Sequence, residues 1–168
     1  LTDRNTGENI NAIMKRDRIS DSFDFFSIYV KGKQAGFMEI GYDEPVPEGD
    51  FVLTENDNTI PEVKRIYSIL GDDYKGIGTE LIKQAVEESR ARGKNGSLWL
   101  TAETGFASGL TNHRRNESPI PFYYGMGFES PENKTDTYIQ KCISNNRYTK
   151  LPKSALLVLS SQEADKRY

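Results

Sequence analysis

Two kinds of hydrophobic spacing alternate along the chain. Phe25, Phe26, Ile28, Tyr29 and Val30 form an aromatic and β-branched series, which predicts a strand over residues 25–30. Residues 31–34 supply a turn with Gly32, and residues 35–42, carrying Phe37, Met38 and Ile40, predict the returning strand of a hairpin. Residues 63–70 alternate and predict a further strand, and residues 97–102 predict a buried one. Between these two the period changes. Ile77, Leu81, Ile82, Ala85 and Val86 fall on one stripe at helical spacing, predicting a helix over residues 76–92. Lys83/Glu87 and Glu88/Arg92 sit four apart on its wet side, and Gly93 suits its end.

The remaining signals are weaker. Residues 1–24 are polar, and Ile10, Ile13 and Met14 predict a short helix there. Residues 43–58 are rich in Pro, Gly, Asp, Glu and Asn and predict a loop, with room for a short strand at 51–53. A long polar loop is expected over 103–115 and a short helix over 120–125 after Pro119. Phe128, residues 138–143 and residues 155–159 are strand candidates. Strands around one strong strand-turn-helix-strand unit predict an α/β sandwich with a mixed sheet.

At 168 residues the chain is long enough for one domain with its own core. Residues 1–24 and 144–168 are read as peripheral to that domain. The net charge of −3 and the sequence pI of about 5.3 disfavour a domain that coats nucleic acid. The single Cys142 rules out a disulfide within the chain, and with the single His113 it makes a Cys/His zinc site nearly impossible. One thiol and no long apolar run fit a cytoplasmic protein that does not span a membrane. A start at Leu1 rather than Met is what a trimmed chain or a piece of a longer protein would show.

The stretch that carries chemistry is residues 69–79, between a strand and the strong helix. Gly76 and Gly78 remove side chains where the helix begins, so first-turn N–H groups can approach an anion such as a phosphate or diphosphate. Two glycines making a tight turn explain the same residues equally well. A P-loop fails, because Ile77-Gly78 stands where Lys-Ser/Thr is needed. A dinucleotide fingerprint fails, because Leu81 stands at the third glycine.

A third pattern fits. Asp73-Tyr74-Lys75-Gly76-Ile77-Gly78 resembles the acetyl-CoA loop of the GNAT superfamily of N-acetyltransferases, (Q/R)-x-x-G-x-(G/A), departing from it at Asp73. Downstream, that family has N-x-x-A-x-x-F-Y closing with Gly-Phe. Asn116, Phe122, Tyr123, Gly127 and Phe128 fall on this pattern, while Pro119 replaces the Ala. The resemblance covers residues 25–143 and implies a single GNAT-like domain, with a mixed, mostly antiparallel sheet flanked by helices.

It also implies roles. The backbone of Ile69 and Leu70 would pair with the pantetheine arm of acetyl-CoA, the co-substrate. The amides of Lys75, Gly76, Ile77, Gly78 and Thr79 would hold the diphosphate, and Asn116 would touch the CoA. Tyr123 would protonate the departing thiolate, since a phenol donates without being ionised at neutral pH. Tyr124 ranks behind it. Acetyl transfer also needs the acceptor amine deprotonated. Glu103, at the end of the 97–102 strand, is the candidate base, against the plainer reading of a solvated loop-end charge; Glu62, Glu39 and His113 follow. Amide formation from a thioester needs no Lewis acid, so no metal is expected.

The implied activity is transfer of an acetyl group from acetyl-CoA to an amine, by direct attack in a ternary complex, in a monomer or homodimer. The amine implied is that of a small molecule or a protein. The departures at Asp73 and Pro119 keep open a CoA-binding module without catalysis, and an acyltransferase using a longer acyl-CoA is the third alternative. The segment 103–115 would shape the acceptor site or be a plain insertion, and His113, Arg114 and Arg115 would attract a phosphate or merely be solvated.

Overall fold

The structure is a computed structural model and describes residues 1–43, 45, 59–103 and 118–168. The predicted hairpin is present as Phe23–Val30 (β3) and Lys33–Gly41 (β4), after β1 (Thr2–Asp3) and β2 (Ile13–Ser20). The chain continues through β5 (Glu62–Ser68), β6 (Tyr74–Lys75), α1 (Ile77–Ala91), β7 (Leu98–Glu103), α2 (Ile120–Gly125), α3 (Asn133–Ser144), β8 (Ser154–Leu159) and α4 (Ser161–Arg167).

Six strands form one sheet in the order β2-β3-β4-β5-β7-β8, and β1 pairs with β6 apart from it. All neighbours in the large sheet are antiparallel except β5 and β7. This is the mixed, mostly antiparallel sheet that the resemblance implies. The parallel pair meets at Glu62 and Trp99, backed by the Trp99 N–H donating to the Pro61 carbonyl at 3.0 Å. Beyond that pair the ladder stops while both strands continue, so their carboxyl ends are not zipped together. Helix α1 lies on β3, β4, β5 and β7. Its whole predicted stripe is buried against Phe26, Ile28, Met38, Ile40 and Ile66. Burying each such side chain stabilises the fold by about 1.5–3 kcal/mol, so this layer fixes the helix on the sheet.

Three expectations are corrected. The helix at Ile10, Ile13 and Met14 is absent. Residues 13–20 are β2, paired with β3 from Ile13↔Tyr29 to Ser20↔Phe23. As an edge strand it leaves Ile13 and Ile19 more than 60% exposed, 63% and 62%, so they do not form a buried helical stripe. Residues 138–143 lie in α3, because Ile139 and Cys142 are three apart and reach the core together from one helical face. Phe128 joins no strand; the next residue, Glu129, makes one bridge to Val158. The short strand weighed at 51–53 lies outside the described residues, as does the loop from 104 onward. Among the described residues, no helix is long and apolar enough to cross a membrane.

Candidate functional site

Helix α1 begins on a turn that the sequence builds tightly. The Leu70 carbonyl accepts from the N–H groups of Asp73 (3.1 Å) and Tyr74 (3.0 Å). Gly76 then takes a left-handed conformation, φ 102°, which a side chain would strain. The Glu80 N–H donates to the Gly76 carbonyl at 3.0 Å as the helix starts. No side chain caps this end. The first-turn amides of Ile77, Gly78 and Thr79 have no partner within the helix, and the helix dipole adds positive potential there.

These residues open onto a cavity of about 430 Å³. Lys75, Gly76, Ile77, Gly78 and Thr79 line it on the α1 side, and Pro121, Phe122, Gly125 and Met126 line it on the α2 side. Thr79 Oγ1 stands 3.8 Å from Met126 Sδ, bringing the two helices together. An open cleft of this size, with convergent amides and an apolar wall, suits an anionic ligand with an organic tail.

The structure thus brings five of the sequence-predicted residues together. The rest are placed differently. Ile69 and Leu70 both donate their N–H groups to the Ala35 carbonyl, at 2.8 and 3.0 Å, and it is Ser68 of β5 that lines the cavity. Their N–H groups are therefore engaged within the sheet. Asn116 lies outside the described residues, as do His113, Arg114 and Arg115.

Tyr123 is buried, with its ring edge-to-face against Phe122 (5.3 Å) and Phe128 (5.7 Å). Burial pushes its phenol well above the ordinary range, so it is protonated at any physiological pH. Tyr124 faces elsewhere. Its hydroxyl donates to Asp136 Oδ1 at 2.7 Å and accepts from the Ser130 N–H at 2.9 Å.

Glu103 is exposed at the end of β7, opposite Ser154 of β8. Glu39 is ion-paired with Arg65 at 3.3 Å and Glu62 with Lys64 at 3.8 Å. Among the described residues no group of three or more His, Cys, Asp or Glu side chains is gathered for a metal.

Among the wall residues that the sequence reading did not single out, one is charged and distant in the chain. Arg4 lines the cavity and donates through Nε to the Gly71 carbonyl at 2.7 Å. Sixty-seven positions separate the two residues, and no local periodicity signals such a contact.

No family profile matches the chain. It is similar to an uncharacterized N-acetyltransferase of Methanocaldococcus jannaschii, 28% identical over 121 residues, which are 71% of this chain and 43% of that protein. The chain thus spans less than half the length of that relative. Among solved structures, a Bacillus subtilis acetyltransferase in complex with CoA overlays with a TM-score of 0.51 at 10% identity, covering 89% of this chain and 99% of that one. A nourseothricin acetyltransferase overlays at 0.47 with 17% identity, over 84% of this chain and 66% of that one. The chain is thus similar in sequence to an N-acetyltransferase and shares the fold of an acetyltransferase solved with CoA.

Proposed function

We propose that residues 1–168 act as one acetyltransferase domain that moves an acetyl group from acetyl-CoA to an amine. The observation that carries this reading is the uncapped α1 N-terminus, opening onto a cavity whose far wall is α2. The amides of Gly76, Ile77, Gly78 and Thr79 hold the diphosphate, where the first-turn N–H groups and the helix dipole favour an anion, with Lys75, strand-paired to Thr2, beside them. Ile69 meets the pantetheine arm through its carbonyl, since its N–H is given to Ala35, whereas the Leu70 N–H goes to Ala35 and its carbonyl to Asp73 and Tyr74, which leaves Leu70 only side-chain contact with the arm. Asn116 contacts the CoA from the segment before α2.

The acceptor amine attacks the thioester carbonyl carbon, and the carbon–sulfur bond breaks as the carbon–nitrogen bond forms. The amine proton leaves to a base, directly or through water, and Glu103 is the carboxylate assigned to it. The proton for the departing thiolate is assigned to the Tyr123 hydroxyl, which burial keeps protonated but also makes a weaker acid than a free phenol, and which is absent from the cavity wall that its neighbour Phe122 helps to form. No step calls for a metal, so turnover should persist in excess chelator.

The test is calorimetric titration with CoA, followed by CoA release from acetyl-CoA with a panel of amines that includes peptides. Binding with turnover on at least one amine supports the reading. Binding with no turnover on any amine would favour a CoA-binding module instead, and no binding at all would remove the cavity from consideration.

A further inference from the structure

The family's loop pattern has Gln or Arg at the position of Asp73, an acid where a diphosphate must approach. Asp73 is exposed and is absent from the cavity wall. A cation reaches that wall by another route. Residues 2–9 fold into a closed turn: Thr2 bridges Asn9, the Asp3 N–H donates to the Glu8 carbonyl, and the Gly7 N–H donates to the Asp3 carbonyl, both at 2.8 Å. Strand β1 of this turn pairs with β6, Thr2 opposite Lys75 and Asp3 opposite Tyr74. The Arg4 N–H then donates to the carbonyl of Asp73 itself at 2.9 Å. The pairing lays the turn along the loop that leads into α1, and Leu1 packs beside Gly76.

This arrangement delivers one side chain to the cavity. The Arg4 Nε–Gly71 bond ties the guanidinium to the wall beside Lys75 and Gly76. In the same turn, Asp3 Oδ1 accepts from the N–H groups of Asn5 (2.8 Å) and Thr6 (3.1 Å). The positive charge of a guanidinium beside a helix N-terminus attracts phosphate oxygens.

We propose that Arg4 is a diphosphate-binding residue, brought in by the N-terminal turn to supply the cation that the acetyl-CoA loop lacks at Asp73. The assignment rests on the acetyl-CoA reading above. It makes β1 a clip that fixes the loop and furnishes part of the site.

The experiment compares wild type, Arg4→Gln and Arg4→Lys by calorimetry with CoA and with dephospho-CoA, alongside ligand-free melting curves. Arg4→Gln should weaken both ligands by about tenfold or more, while Arg4→Lys, which keeps the charge, stays within about threefold of wild type. Equal losses in both variants would overturn the proposal, because the bond to Gly71 rather than the charge would then matter. Arg4→Gln binding both ligands like wild type would also overturn it. So would a loss confined to CoA, which would place Arg4 on the 3′-phosphate. If Arg4→Gln fails to fold, Arg4→Ala is read in its place: a loss of about tenfold or more supports the proposal, and affinity like wild type overturns it. The wild-type titration separates the two ideas. Wild type failing to bind CoA sinks the acetyl-CoA reading and this proposal together, whereas wild-type binding with an indifferent Arg4→Gln sinks only the proposal.

Discussion

Gly36 of β4 lies against Ile77, the first residue of α1. A Cβ on Gly36 would stand 2.6 Å from Ile77 Cγ2 and 2.7 Å from the Tyr67 carbonyl oxygen. The missing side chain therefore lets the start of the helix sit down on the sheet. Gly36→Ala must push Ile77 or the β5 backbone aside, at a cost of about 1–3 kcal/mol. The same shift moves the first-turn amides, so CoA affinity should fall with stability. Urea denaturation and calorimetry measure the two effects. A folded, destabilised variant with unchanged CoA affinity would disconnect Gly36 from the site.

Acid should loosen the sheet at a particular place. Asp24 is fully buried on β3, where the Tyr42 hydroxyl donates to Oδ2 at 2.6 Å and Arg18 donates from Nε and Nη2 at 3.1 and 3.3 Å. Burial alone would raise its pKa. The hydrogen bonds from Arg18 and Tyr42, with the charges of Arg18 and Arg16, outweigh burial and hold the carboxyl below its usual range. A depressed native pKa contributes stability that is complete above the unfolded value, about 3.9. That contribution is lost as pH falls through the native value. Asp24→Asn should therefore cost about 2 kcal/mol near neutrality and much less at low pH. The urea midpoint plotted against pH should flatten in the variant, and parallel curves would exclude Asp24 as a source of acid sensitivity.

The elements that bury one clean face were legible from spacing alone. These are the β3–β4 hairpin, β5, α1, β7 and β8, where packing and local pattern agree. Strand β2 was not legible, because its pairing is backbone-driven and its side chains are nearly all exposed. Helix α3 was misread because Tyr138, Ile139, Cys142 and Ile143 are too few to separate a helical period from a strand. Helix α4 had a readable signal, Ser160 followed three residues later by Glu163, and the Ser160 hydroxyl does accept the Glu163 N–H at 3.1 Å. The glycine turn of the site was visible in the sequence because it is local. Arg4 was not, because a chain-distant strand pairing places it.

The diphosphate assignment makes a direct demand on Gly78. This residue is buried in the first turn of α1 and lines the cavity. Gly78→Glu would put bulk and a negative charge among the N–H groups assigned to an anion. CoA binding should vanish at millimolar ligand while the far-ultraviolet circular dichroism of the protein stays near wild type. An affinity equal to wild type would remove this turn from the CoA site.

The two adjacent tyrosines of α2 separate chemistry from structure. Successive residues point about 100° apart around a helix. Accordingly Tyr124 reaches Asp136 and Ser130, while Tyr123 turns inward between Phe122 and Phe128. Tyr124→Phe removes the donor to Asp136 and the acceptor for the Ser130 N–H. Its cost should therefore appear as a loss of stability of about 1–2 kcal/mol, with kcat nearly intact. Tyr123→Phe keeps the ring packing and deletes one hydroxyl. If that hydroxyl protonates the departing thiolate, kcat should fall by about 10²-fold or more while CoA affinity barely changes. Both variants can be followed by CoA release under conditions where chemistry limits the rate, with thermal melts in parallel. The opposite ranking of kcat would transfer the acid role to Tyr124. If neither variant slowed a chemistry-limited transfer, water or another group would have to protonate the thiolate. The cofactor cavity would then survive, and the role assigned to Tyr123 would not.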